Sequence, residues 1–160
     1  MKLGIDIGRV IIAPDAADQD DTSFIGGTIE HALATPPYDG MFDVLPEIVR
    51  YFQGRVWLVS KARKSVQEKT RRWLVHQRFF ERTGITAGNL RFCLERVEKA
   101  ERCRELGITH FIDDRQDVLH HMAGIVEHRY LFGPQADRAP ADLVRVESWS
   151  SVLRTIVRQD

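Results

Sequence analysis

Reactive side chains close apolar runs at three places along the sequence. Asp6 follows Leu3-Gly4-Ile5, Ser60 follows Val56-Trp57-Leu58-Val59, and the pair Asp113-Asp114 follows His110-Phe111-Ile112. Lys99 opens a helical stretch just ahead of that pair. Carboxylates grouped in this way suit a hard cation such as Mg²⁺, which prefers oxygen ligands and retains several waters. An aspartate nucleophile divides phosphoryl hydrolysis into formation and breakdown of an aspartyl-phosphate. In that chemistry Asp6 is the candidate nucleophile and Ser60 a hydroxyl donor to a phosphoryl oxygen. Lys99 is the cation that neutralises both nucleophile and phosphate. Two adjacent acids at a strand end are costly unless a cation or hydrogen bonds compensate them. Asp113 is therefore the candidate metal ligand, and Asp114 binds the metal directly, binds it through water, or orients the site.

Each residue also has a purely structural role to weigh. Aspartate commonly ends a strand in a turn, as Asp6 would. Ser60 could cap the helix that follows it, and a lysine on a helix surface needs no function. Asp117 could support the metal site or simply face solvent. His110, His120 and His121 match no zinc spacing, and Trp57 and Trp73 fit the core. The basic run Lys61, Arg63, Lys64, Lys69, Arg71 and Arg72 reads as a solvated helix face. Because it begins beside Ser60, Lys61 or Arg63 is also placed to meet an anionic substrate.

The elements that must position these residues alternate in type. Short apolar runs at Leu3–Ile7, Val56–Val59, Leu90–Leu94, His110–Ile112 and His128–Phe132 predict strands. Helical periodicity at Val44, Leu45, Ile48, Val49 and Phe52 predicts a helix ended by Gly54. Further helices are expected at 63–77, at Glu98–Leu106 before Gly107, around Val118–Met122, and at 148–158. Such alternation predicts one α/β domain over 1–160, a Rossmann-like three-layer sandwich with a central, mostly parallel sheet. In such sheets ligands bind beyond the carboxyl ends of the strands, where Asp6, Ser60, Asp113 and Asp114 stand. Residues 15–27 and 35–40 are rich in Asp, Gly and Pro and read as loops.

In order and spacing these segments resemble the four motifs of the haloacid-dehalogenase-like hydrolases. Leu3-Gly4-Ile5-Asp6 resembles the first and Trp57-Leu58-Val59-Ser60 the second. Glu98-Lys99-Ala100 resembles the third and Phe111-Ile112-Asp113-Asp114 the fourth. The turn Tyr38-Asp39-Gly40-Met41 also resembles the family's approach to its core helix, so the likeness spans roughly residues 2–133. It implies a Mg²⁺-dependent phosphohydrolase acting on a phosphate monoester through an aspartyl-phosphate. It further implies a metal held by Asp6, Asp113, Asp114 and the backbone carbonyl of Gly8, and a phosphorylated substrate met by Ser60, Lys61 and Lys99. Gly8 departs from the family pattern, in which a second aspartate usually supplies acid–base help worth about 10²–10⁴ in rate. Asp15, Asp18, Asp20, Asp21 and His31 are the nearby groups that could replace it. The interval from Gly8 to Gly40 is too short for a large cap domain, leaving at most a flap at about 13–40 and an open site.

Two other readings follow from the same residues. Ile112-Asp113-Asp114-Arg115 also resembles the corresponding segment of polynucleotide end-processing phosphatases, which suits the basic helix. Alternatively, Gly8 marks a regulatory module that binds phosphate or Mg²⁺ without turnover. Lysine plus arginine equals aspartate plus glutamate at 23 each, so nucleic acid has no whole-chain attraction and is not the favoured partner. No apolar run is long enough to span a membrane. Cys93 and Cys103 lack disulfide or metal spacing, and a cytoplasmic protein with reduced thiols is the expectation. The opening Leu-Gly-Ile-Asp-Ile-Gly is also similar to the phosphate loop of sugar kinases, but their two large lobes exceed this length.

Overall fold

The structure, a computed structural model, describes residues 1–14 and 27–157. The acidic loop with Asp15, Asp18, Asp20 and Asp21, the middle of the expected flap, and residue 158 of the closing helix lie outside the described residues.

Six strands form one sheet, all of them parallel: β1 (Leu3–Ile5), β2 (Val56–Lys61), β3 (Leu90–Cys93), β4 (His110–Asp113), β5 (His128–Phe132) and β6 (Val144–Val146). Their order is β3-β2-β1-β4-β5-β6. The chain therefore moves outward from β1 to one edge and then returns to fill the other side. β1 and β4 lie side by side where the order reverses, with Ile5 opposite Ile112. That reversal opens the crevice in which doubly wound sheets bind ligands.

Alternating strand residues supply the two cores. Leu3, Ile5, Val56, Leu58, Ile112, Tyr130 and Phe132 pack on one face. They meet α2 (Met41–Tyr51), α3 (Lys64–His76), α4 (Phe79–Thr83) and α7 (Trp149–Ile156). Val59, Phe111 and Leu131 face the other way, onto α5 (Glu98–Leu106) and α6 (Gln116–His121). Helices on both sides give the three expected layers. Gly4 is needed on that second face. A Cβ at this position would sit 2.4 Å from Cδ2 of Phe111, whose ring lies across the strand.

Several expectations need adjustment. β1 ends at Ile5, and Ile7 to Ile12 form a compact turn instead of more strand. Ser60 lies inside β2, and α3 is capped at Arg63 without a side-chain bond, so Ser60 caps no helix. Four elements had no counterpart in the sequence reading: α1 (Ile29–Ala34), α4, a single 3₁₀ turn at Ala87–Asn89, and β6. No helix among the described residues is long and apolar enough to cross a membrane.

Candidate active site

The turn after β1 fixes Asp6. Its N–H donates to the carbonyl of Ile112 at 2.9 Å, continuing the β1–β4 pairing by one residue. Beyond it, the N–H groups of Val10, Ile11 and Ile12 all converge on the carbonyl of Ile7. Indole Nε1 of Trp149, the first residue of α7, donates to the carbonyl of Val10 at 2.9 Å and ties this turn to the start of that helix. Arg9, at the apex, holds a left-handed conformation with φ 59°. That is uncommon for a residue with a side chain and is a conformation that clusters at functional sites.

Lys99 is the centre of the arrangement. It lies in the first turn of α5, only 2% exposed. Its Nζ stands 2.8 Å from Oδ1 of Asp6 and 2.8 Å from Oδ2 of Asp113. The start of α5 is held by Glu98, whose carboxylate accepts the N–H groups of Leu94 and Glu95 at 2.8 Å each. Asp113, fully buried, also accepts the N–H of Arg115 on Oδ1 at 2.9 Å. Removing these groups from water has a large cost, offset only by their mutual pairing and hydrogen bonds.

The electrostatics follow from three carboxylates sharing one buried ammonium. At Lys99 burial works against the charged form, but the attraction of Asp113 and Asp6 overcomes it, and the pKa rises above the ordinary lysine range. Burial pushes Asp113 up to about 6, with Lys99 opposing the rise and Asp6 adding to it. Asp114 goes up to about 8, through burial first and then the charges of Asp113 and Asp6, against the pull of Lys99 and Arg9. Oxygens of Asp6, Asp113 and Asp114 lie within 4.8 Å of one another. An all-oxygen set with excess negative charge fits a hard divalent cation of the Mg²⁺ type. Asp6 and Asp114 face the recess, whereas Asp113 stands behind it and has an oxygen committed to Lys99.

That recess is lined by Asp6, Gly8, Ser60, Lys61, Lys99 and Asp114, so the expected site residues converge apart from the buried Asp113. It also brings in Arg9, Arg63, Arg96 and Arg115. Arg9 and Arg96 had no role in the sequence reading, and Arg115 entered it only as the last residue of Ile112-Asp113-Asp114-Arg115. The usable signal was position: each lies within a few residues of a motif side chain, on a loop leaving a strand or approaching α5. Arg9, Asp114 and Arg115 also line an adjoining open groove with His120, His121 and Gln135. Asp117 binds Arg115 at 3.0 Å. His31 and His110 lie outside the recess, and His110 instead stacks on His128 at 4.3 Å on β4 and β5.

No protein-family model matches the chain, and no curated protein matches it. Among solved structures the chain is similar to a de novo designed Rossmann 3x3 fold protein determined by solution NMR. The two share 12% identity over 100% of this chain and 97% of that one, with a TM-score of 0.47.

Proposed function

We propose that the chain is a Mg²⁺-dependent phosphohydrolase of the haloacid-dehalogenase-like type. The observation that carries the reading is Lys99, buried between Asp6 and Asp113 at 2.8 Å from each, at the strand ends where the sheet order reverses. A buried ammonium there holds Asp6 in place while cancelling part of the charge that would repel a phosphate dianion. Asp6, as nucleophile, attacks phosphorus, and the aspartyl-phosphate is then opened by water. Ser60 donates its hydroxyl to a phosphoryl oxygen, and Lys61 attracts the substrate from the rim of the recess. Asp6, Asp114 and the carbonyl of Gly8 would hold Mg²⁺, with Asp113 bracing Lys99 behind them. When bound, the ion neutralises phosphoryl oxygens and brings them towards the carboxylate.

The test is phosphate release from an organic-phosphate panel with and without Mg²⁺, in wild type and Asp6→Asn. The expected result is turnover that needs both Mg²⁺ and Asp6, with the variant still folded by circular dichroism. Undiminished turnover in folded Asp6→Asn would remove the nucleophile assignment.

A further inference from the structure

Resting on the phosphohydrolase reading, we infer that the open groove beside the recess is the subsite for the leaving group, and that this leaving group is polyhydroxylated, as in a sugar phosphate. The position of the groove, its construction and the chemistry of its lining all point there.

The recess itself is small, about 50 Å³, space for roughly four water-sized spheres. That suits a phosphoryl group, and the rest of an ester must lie beyond it. The groove measures about 800 Å³, a size that accepts small organic ligands. It meets the recess along Arg9, Asp114 and Arg115, which line both. Arg9 stands at this junction with its left-handed backbone, φ 59°, and such conformations gather at ligand clamps.

The fold fixes both walls of the groove from behind. One wall is the side of α6 that carries Gln116, Asp117, His120 and His121, and the other is the segment 134–136 that follows β5. Nε2 of Gln135 donates to the carbonyls of Asp114 and Phe132 at 2.9 and 3.0 Å, which ties the second wall to the ends of β4 and β5. Arg129, on β5 with its side chain only 10% exposed, braces both sides. Its Nη1 donates to the carbonyl of Leu119 in α6 at 3.1 Å, and its Nη2 to Asp142, further along the connection to β6, at 2.9 Å. Asp117 accepts from Arg115 at 3.0 Å. Small-ligand sites are largely formed in advance in this way.

Eight of the ten described lining residues have polar side chains, the others being Pro134 and Ala136. A hydroxyl group both donates and accepts hydrogen bonds, and the carboxamide of Gln116 and a neutral imidazole offer both functions in return. An alkyl leaving group would take water from these side chains and give back no hydrogen bond. Several hydroxyls on one carbon skeleton replace that water.

The experiment compares kcat/KM for glucose 6-phosphate and ribose 5-phosphate with that for n-hexyl phosphate at saturating Mg²⁺, while p-nitrophenyl phosphate reports the chemistry alone. All three alkyl esters release a primary alkoxide, so their ratio reads the contacts of the leaving group. The better sugar phosphate is expected to exceed hexyl phosphate by about 20- to 100-fold, from two or three hydrogen bonds worth roughly fivefold each. A ratio of about three or less, with p-nitrophenyl phosphate still turned over through Asp6, would overturn this inference and leave the phosphohydrolase reading standing. In Gln116→Ala/His120→Ala, both at exposed positions, the preference for the sugar phosphate should fall by about fivefold or more. An unchanged preference in the folded variant would overturn the placement of the leaving group in this groove. AMP against ribose 5-phosphate separates a nucleotide from a free sugar phosphate. Silence on every ester, p-nitrophenyl phosphate included, would overturn the phosphohydrolase reading and this inference together.

Discussion

Replacing Lys99 by methionine isolates the electrostatic core of the site, because the stem's packing is largely kept while the ammonium is lost. Each 2.8 Å contact to Asp6 and Asp113 is worth a gross attraction of about 6 kcal/mol at an effective dielectric of about 20. Much of that is offset by the desolvation of three charges. Breaking a buried pair by removing one partner costs about 3–5 kcal/mol, since the remaining charge is left uncompensated. The loss should depend on pH in a defined direction. Asp113 titrates at about 6 with Lys99 beside it, and without the ammonium its folded pKa moves higher still. A folded carboxyl raised above its unfolded value contributes stability that is full below the unfolded pKa and disappears as pH rises through the folded pKa. Lys99→Met should therefore be most destabilised at pH 8 and recover towards pH 5. Urea unfolding in EDTA measures this. With a slope of about 2 kcal/mol per molar, the midpoint should fall by about 1.5–2.5 M at pH 8. At pH 5 the fall should be less than half as large. An equal fall at both pH values, or a loss below about 1 kcal/mol at pH 8 against the 3–5 expected, would refute the account of Lys99 as the counterion of Asp6 and Asp113.

Gly4→Ala should destabilise the protein by about 1–3 kcal/mol, because its methyl would press on the Phe111 ring. Most of the loss should return in Gly4→Ala/Phe111→Leu, read as paired urea midpoints. His110 has its pKa lowered to about 4 by burial and by His128, so the folded state resists a proton that the unfolded chain accepts at about 6.5. The stability this contributes is full above about pH 6.5 and is lost as pH falls towards 4, a window worth about 3 kcal/mol that His110→Phe should flatten in thermal melts. Trp149→Phe removes the donor to Val10 and leaves a buried carbonyl unpaired, at about 1–3 kcal/mol. Since Val10 belongs to the turn behind Asp6, kcat in the phosphate-release assay should drop with KM little changed.

The long elements and the motif side chains were legible because their signals are local. Val56–Val59 is a continuous apolar run, Gly107 ends its helix at φ 66°, and Asp6, Ser60 and Asp113 lie just past, just inside and at the ends of their strands. β6 escaped notice because Val144-Arg145-Val146 is three residues long and only Val146 is buried. Its strand character comes from pairing with β5 at the sheet edge. α4 follows Arg78, its left-handed N-cap, and lasts five residues, too short to show a period. The pairing of Lys99 with both Asp6 and Asp113 and the basic rim were illegible for a different reason. Loops remote in sequence meet at the recess, and an isolated arginine on a loop looks the same whether it faces solvent or a ligand.

Placing β1 between β2 and β4 has a consequence for synthesis as well as for the finished site. Its neighbours come from residues 56–61 and 110–113, and Lys2 bonds Thr109 across 107 positions. The first strand is thus made early and must wait, unpaired on one side, until β4 has left the ribosome. The lysine and the carboxylates that need it are separated in the same way and become neighbours only when this central strand is enclosed. Assembly of the Asp6–Lys99–Asp113 cluster and enclosure of the central strand are one late event, so a chain halted before residue 113 carries Asp6 and Lys99 without the carboxylate that completes their pairing.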